Sequence, residues 1–161
     1  TFQNIKLFEQ ITVLDNILVV ITKRNLWSAL FEKHKGYHLK QAEEVLRRVN
    51  LWEKKNELAV NLSYGQRKLL EIARAISMDV NIFLFDEPFA GLFPEMRKIV
   101  VSIIKELKKH GKTVVLIEHN MDLIRELSDH LIVMDEGKLL AEGNPEKVLS
   151  QKNVIEAYLG E

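Results

Sequence analysis

The chain has 161 residues, 47% of them apolar, which is enough to bury one hydrophobic core. Lys and Arg together number 23, and Asp and Glu also number 23, so the formal net charge is zero. Because a neutral chain displaces few counterions from a phosphate backbone, this balance argues against a nucleic acid partner. The absence of cysteine excludes disulfides and thiolate metal sites, and the longest apolar runs are far shorter than a membrane-spanning helix.

The first half of the chain has the apolar pattern of helices. Apolar residues recur at helical spacing in residues 12–21, 38–49 and 63–77. Thr12 or Asp15 is the predicted cap of the first helix, and Ser63 that of the third. Residues 22–37 mix aromatic and basic side chains without a clear period, so we interpret them as a loop or a broken helix.

The second half alternates between strands and helices. Strands are predicted at residues 81–85, 113–117, 131–134 and 139–141, the last two joined by a turn at 135–138. Helices are predicted at residues 94–110, 121–127, 145–150 and 154–159. Buried apolar strands that alternate with helices are typical of a parallel α/β sheet. The chain is therefore divided into a helical subdomain, residues 1–77, and a sheet-containing part, residues 78–161.

The first strand ends in two adjacent carboxylates, Asp86 and Glu87. Ligands bind at the carboxyl ends of strands in open parallel sheets. One carboxylate there can hold hydrated Mg²⁺, while its neighbour orients and deprotonates an attacking water. The alternative interpretation is that both residues only cap the helix that follows Pro88.

A second candidate site lies at the start of the helix that follows Ser63. A serine hydroxyl, a glycine that permits close approach of the backbone, and the free amides of a helix N-terminus together form an anion site. The residues concerned are Ser63, Tyr64, Gly65 and Gln66. The alternative is an ordinary capping serine followed by a loop glycine.

The order of these motifs resembles that of the ATP-binding cassette (ABC) family. The matching positions are Gln3 (Q-loop), Leu62–Gln66 (signature motif), Ile82–Asp86 with Glu87 (Walker B and the following glutamate), Ala90–Phe93 (D-loop) and His119 (H-loop). The resemblance implies a P-loop NTPase-like parallel sheet flanked by helices, with an α-helical signature subdomain. Residues 1–77 would hold the Q-loop and that subdomain, and residues 78–161 the C-terminal part of a RecA-like ATPase core.

The same resemblance implies a role for each site residue. Asp86 would coordinate Mg²⁺, and Gln3 would reach both the metal and the water. Glu87 would act as general base, and His119 would contact the γ-phosphate of ATP and position the water. Phe93 departs from the family pattern, because the D-loop usually carries a polar residue there.

The resemblance also implies partners. Ser63, Tyr64, Gly65 and Gln66 would contact ATP held by a second ABC subunit in a head-to-tail dimer. Membrane permease subunits would bind the pair at the cytoplasmic face of the membrane, with no nucleic acid partner. The alternatives are a soluble ABC protein of translation or repair, and a noncatalytic cassette that supplies only its signature motif in trans.

Several segments look like the ATP-binding subunit of branched-chain amino acid importers. They are Thr1–Asn4, residues 62–75, Ala90–Leu92 and Ala157–Glu161. The ATPase of lipopolysaccharide exporters is the second candidate subgroup. The same C-terminal tail and the run from Asp86 to Gly91 also resemble that ATPase.

The family's glycine-rich phosphate loop, Walker A, has no counterpart among these residues. Gly111-Lys112-Thr113 leaves a helix and enters a strand, which is the reverse of the required order, so we interpret Gly111 as a helix C-cap. Without that loop and its strands, we expect the chain alone to bind ATP weakly and not to hydrolyse it. We also expect its sheet to expose apolar surface.

Overall fold

The computed structural model describes residues 7–22 and 35–159. The α-helices formed by these residues are α1 (Val13–Ile21), α2 (Lys35–Arg48), α3 (Tyr64–Ile76), α4 (Pro94–Lys109), α5 (Met121–Leu127), α6 (Pro145–Leu149) and α7 (Lys152–Leu159), and two short 3-10 helices lie at Trp52–Lys54 and Ala59–Asn61. The strands are β1 (Ile82–Asp86), β2 (Thr113–Ile117), β3 (Leu131–Asp135) and β4 (Lys138–Gly143). The predicted order of elements is confirmed. No helix in this part of the chain combines the length and apolarity needed to cross a membrane.

The chain divides into two compact units, one ending at Ile117 and the other beginning at Glu118. This division does not coincide with the boundary expected after residue 77. The physical reason is that α3 packs against α1, α2 and α4, while β1 pairs with β2. Residues on both sides of position 77 therefore share one body.

Local hydrogen bonds set the start of α1 and hold the preceding segment against it. Thr12 is its N-cap, since the Thr12 hydroxyl accepts a hydrogen bond from the Asp15 amide at 3.0 Å. Inside the helix Asn16 is fully buried, and its side chain bonds to both backbone groups of Phe8. A buried amide whose bonding groups are paired avoids the penalty for burying unsatisfied polar atoms. The two bonds between Asn16 and Phe8 therefore attach the segment before α1 to that helix.

The second helix begins earlier than its sequence pattern indicates. We expected it to start at His38, but α2 begins at Lys35 and includes Gly36. Residues 23–34, most of the expected loop, lie outside the described residues. On its inner face α2 buries Ala42, Val45 and Leu46, which are the helically spaced apolar residues of the sequence.

In the first unit β1 and β2 pair in parallel, with Ile82 opposite Thr113 and Asp86 opposite Ile117. Phe83 and Phe85 are buried on one face. On the other face Ile82 and Leu84 are each 62% exposed, and Ile117 is 58% exposed. The strands, expected to be buried, are therefore covered on only one face by the described residues. The expected exposed apolar surface is present.

The second unit is a β-hairpin with three helices. β3 and β4 pair antiparallel, and Glu136 and Gly137 between them both have positive φ, 45° and 76°. Such a pair is typical of the two-residue turn whose twist matches that of the strands. The return strand is longer than expected, because it runs from Lys138 to Gly143. The buried residues of α6 and α7 are Pro145, Val148, Leu149 and Val154.

Candidate functional site

The two adjacent carboxylates lie where the parallel strands of the first unit end. Asp86 is the last residue of β1 and pairs in register with Ile117, the last residue of β2. Both strands therefore end at one edge, the edge at which parallel α/β sheets bind ligands. Asp86 and Glu87 are both half-buried.

Glu87 has an unusual backbone conformation. Its φ is 44°, in the left-handed region that residues other than glycine seldom adopt. The Glu87 amide donates to the Ile117 carbonyl at 2.9 Å, and the Glu87 carbonyl accepts from the Ala90 amide at 3.2 Å. Buried Pro88 and Phe89 follow directly. The chain thus turns sharply away from the sheet after Asp86. The Glu87 carboxylate is therefore presented by a turn, whereas Asp86 belongs to the strand.

Asp86 also lines a cavity of about 190 Å³ between α3 and β1. Its lining residues are Lys68, Glu71, Ile72, Ala75, Leu84, Phe85, Asp86 and Pro88. Clefts that hold drug-sized ligands start at about 300 Å³. This cavity is therefore too small to hold a nucleotide by itself.

The residues present fit a magnesium ion that is held jointly with phosphate. Mg²⁺ is usually bound through one or two carboxylates, water and substrate phosphates, not through a cage of protein ligands. Asp86, half-buried at the sheet edge, meets that requirement. Among the described residues no group of three or more His, Asp and Glu side chains is placed to hold a metal by itself.

Ser63–Gln66, hereafter the signature turn, begins α3. Ser63 and Gln66 form a capping box: the Gln66 amide donates to the Ser63 hydroxyl at 3.3 Å, and the Ser63 amide donates to Gln66 Oε1 at 3.1 Å. The capping alternative is therefore correct for the serine. It does not exclude an anion site, because the amides of Tyr64 and Gly65, in the first turn of α3, have no acceptor within the helix.

Gly65 does not have the accessible position that we expected. It is buried, and a Cβ added there would lie 2.6 Å from the Met96 Sδ and 3.5 Å from Leu92 Cδ2. A glycine at position 65 therefore lets α4 pack closely against α3, and the space next to it is not open to a ligand. A role for Gly65 in phosphate binding stays a prediction, and its burial counts against it.

Tyr64 and the D-loop are in direct contact. The Tyr64 ring lies over Gly91, where a Cβ would come within 2.7 Å of Tyr64 Cε1. Phe93 follows two residues later and is 70% exposed. The apolar side chain that departs from the family pattern thus lies on the protein surface.

His119 belongs to the second unit. Its amide donates to the carboxylate of Glu118 at 3.1 Å, and its carbonyl accepts a hydrogen bond from the Tyr158 hydroxyl of α7. Burial raises the pKa of Tyr158, and the Glu118 carboxylate raises it further. The expected roles of His119 with ATP, and of Gln3, which lies outside the described residues, stay predictions.

Gly111-Lys112-Thr113 is a helix end, as expected. Gly111 has a φ of 71°, its amide donates to the Lys108 carbonyl, and the Lys112 amide donates to the Leu107 carbonyl. This pair of bonds is the Schellman pattern that ends a helix at a left-handed glycine. The Lys112 ammonium bonds to Asn81 Oδ1 at 3.0 Å. The triplet is therefore the turn from α4 into β2.

Three residues near these positions were not identified from the sequence. Lys68 donates from Nζ to the Glu87 carbonyl at 2.6 Å, Met96 covers Gly65, and Tyr158 bonds to His119. The C-terminal tail that contains Tyr158 was a sequence signal, although only for the subgroup. Lys68 lies in the run 62–75, which was likewise a signal only for the subgroup. Met96 carries no such signal, because a methionine on a helix is ordinary.

Comparison with known proteins identifies the family. Residues 1–90 match the family model described as ABC transporter, and residues 138–161 match the one described as branched-chain amino acid ATP-binding cassette transporter. The chain is 40% identical to the high-affinity branched-chain amino acid transport ATP-binding protein LivG of Escherichia coli K12, over all of this chain and 67% of LivG.

Solved structures agree in fold. The ADP conformation of MJ1267, an ATP-binding cassette of an ABC transporter, matches all of this chain and 66% of its own, with 33% identity and a TM-score of 0.74. The dimeric post-hydrolysis state of the cassette MJ0796, bound to ADP and Pi, matches 89% of this chain and 61% of its own, with 25% identity and a TM-score of 0.75. The chain thus spans about two thirds of the length of such relatives. Its fold is the mixed α/β fold of these cassettes, and the chain belongs to the ABC transporter family of ATP-binding proteins.

Proposed function

We propose that the intact subunit, meaning the natural polypeptide in which these residues occur, binds ATP and hydrolyses it to drive the import of branched-chain amino acids. The observation that carries the proposal is the placement of Asp86 and Glu87 at the carboxyl edge of a parallel strand pair. In the same unit α3 begins at a capped turn whose first backbone amides have no acceptor within the helix. These are the parts that phosphoryl transfer needs from the described residues.

Each residue has a distinct part in this proposal. Asp86, with Gln3, would hold Mg²⁺, which when bound neutralises developing charge on the phosphates. Glu87 would accept a proton on its carboxylate from the water that attacks the γ-phosphorus. His119 would donate a hydrogen bond from its ring to the γ-phosphate.

The signature turn would act on a nucleotide held by a second subunit. The Ser63 hydroxyl accepts the Gln66 amide, so its own proton remains available to donate to a phosphate oxygen. The head-to-tail pair is supported by the dimeric state of the related MJ0796 cassette. Permease partners and a position at the cytoplasmic face of the membrane rest on family membership alone.

The substrate class rests on two observations. The C-terminal match over residues 138–161 is to a family described by branched-chain amino acids, and LivG carries the same description in its name. Uptake of labelled leucine by cells with and without the gene tests this assignment. Unchanged leucine uptake after deletion of the gene would contradict the substrate assignment. It would not contradict the proposed ATPase activity.

The test of hydrolysis is Glu87→Gln in the intact subunit. The amide keeps the size of the side chain but cannot accept the proton, so we expect turnover to fall by more than ~100-fold with ATP binding retained. Glu44→Gln, on the exposed surface of α2, is the matched control and should turn over normally. Normal turnover by the Glu87 variant would contradict the role of Glu87 as base.

A noncatalytic cassette is the second candidate, favoured by an intact capping box at the signature turn and by the assignment of Gly111–Thr113 to a helix end. The 161-residue chain by itself should bind ATP weakly, because no glycine-rich loop is among its residues. Mixing it with a LivG-type subunit distinguishes the two candidates. Turnover that persists with Glu87→Gln but is lost with Ser63→Ala would favour the noncatalytic cassette.

A further inference from the structure

The backbone of Glu87 needs support from the rest of the protein. A left-handed conformation is unfavourable for a residue with a side chain, and it persists only where surrounding contacts hold it. At Glu87 the φ is 44°. Glycine would adopt this conformation without strain, but it would bring no carboxylate.

The contacts that hold Glu87 come from three directions. The end of β2 accepts its amide through Ile117, and the following turn donates the Ala90 amide to its carbonyl. The third contact is the ammonium of Lys68, which donates to the same carbonyl at 2.6 Å. It is the only one of the three that carries a charge, and charged donors make the stronger hydrogen bonds.

Lys68 belongs to a rigid element. It is half-buried on α3, which buries Leu69, Leu70 and Ile72 within the first unit. The same helix begins at the signature turn, less than two turns before Lys68. The position of α3 is therefore transmitted to the Glu87 carbonyl through the Lys68 side chain.

We propose that Lys68 is a positioning residue that holds Glu87 in its left-handed turn and so ties the signature helix to the general base of the same subunit. The role in hydrolysis rests on the proposed function, whereas the backbone restraint does not. Lys68 does not touch the reacting atoms in this proposal. It acts by limiting the directions in which the Glu87 carboxylate can point.

The backbone restraint is tested on the 161-residue chain without ATP. Lys68→Met keeps the aliphatic stem and removes the ammonium. We expect the amides of Glu87 and Ala90 to exchange hydrogen about tenfold faster in this variant, since a charged hydrogen bond is lost at that turn. Lys68→Arg should restore slow exchange, and Lys109→Met, exposed at the end of α4, should leave exchange unchanged.

The unaltered chain supplies a second measurement that does not depend on any variant folding. NMR should detect a coupling through the hydrogen bond between the Lys68 Nζ and the carbonyl carbon of Glu87. Absence of that coupling, or exchange at Glu87 and Ala90 equal in Lys68→Met and Lys109→Met, would overturn the restraint.

The effect on hydrolysis is tested on the intact subunit. A misdirected base slows the chemical step more than it weakens ATP binding, so Lys68→Met should lower kcat about tenfold with KM for ATP unchanged. Lys68→Arg should recover most of the rate. Faster exchange with an unchanged kcat would overturn the positioning role. Absence of hydrolysis in the unaltered subunit would instead overturn the proposed function, while the exchange measurement would still decide the restraint.

Discussion

At the scale of single residues, hydrogen bonds join side chains to backbone positions far away in the sequence. Lys68 reaches the Glu87 carbonyl, and Tyr158 reaches the His119 carbonyl. Both bonds use a backbone acceptor of a candidate catalytic residue and leave its side chain uninvolved in that bond. The backbone of each candidate residue is thus held in place by a side chain from elsewhere in the sequence.

The bond made by Tyr158 has a pH dependence that follows from its pKa. Burial raises the pKa of Tyr158, and the neighbouring Glu118 carboxylate raises it further, because both disfavour the tyrosinate. The unfolded value is about 10. A raised folded pKa means that the stabilisation is complete below pH ~10 and is lost as the pH rises through the folded pKa.

We therefore expect Tyr158 to ionise above pH ~10, measured as the difference in tyrosinate absorbance between the chain and Tyr158→Phe. The difference in urea midpoint between the two proteins should be constant up to pH ~9 and shrink at higher pH. Ionisation of Tyr158 at or below pH ~10 would contradict the upward shift of its pKa by partial burial and by the Glu118 carboxylate.

At the scale of elements, two glycines with the same backbone conformation have different surroundings. Gly91 has a φ of 70° and Gly111 one of 71°. A Cβ at Gly91 would lie 2.7 Å from the Tyr64 ring, whereas nothing lies within 4 Å of a Cβ at Gly111. Comparing substitutions at Gly91 and Gly111 therefore distinguishes the cost of backbone strain from the cost of crowding between the signature turn and the D-loop.

Gly111→Ala should therefore lower the free energy of unfolding by about 1–2 kcal/mol, which is the left-handed penalty alone. Gly91→Ala should lower it by at least about 1 kcal/mol more, because the methyl group overlaps the Tyr64 ring. Urea denaturation of both variants measures the difference. Adding Tyr64→Ala to Gly91→Ala should remove the additional loss, and equal losses for the two single variants would show that the contact is unimportant.

At the scale of the whole molecule, the sheet of the first unit has one covered and one open face. Phe83 and Phe85 are buried, whereas their neighbours Ile82 and Leu84 are exposed to solvent. Contiguous apolar surface of this kind promotes association between molecules. In the 161-residue chain we expect it to limit solubility.

Adjacent residues of β1 test this expectation. Ile82→Lys places a charge on the open face, so it should raise solubility and change the free energy of unfolding by no more than about 1 kcal/mol. Phe83→Lys places the charge in the core and should unfold the chain, since a buried unpaired charge is strongly unfavourable. Light scattering and circular dichroism measure the two effects. Similar behaviour of both variants would mean that the faces are not distinguished in solution.

Local patterns in the sequence were sufficient for the order of elements, the cap at Ser63, the helix end at Gly111 and the carboxylate pair at the end of β1. For the cap of α1 they left Thr12 and Asp15 as alternatives, of which the structure has Thr12. These features depend on residues within a few positions of one another, where capping and periodicity act. They did not predict the burial of Gly65 under Met96, the bonds made by Lys68 and Tyr158, or which residues of β1 supply the expected exposed apolar surface. Those features depend on which elements pack together and at what distance, and only the tertiary structure decides that.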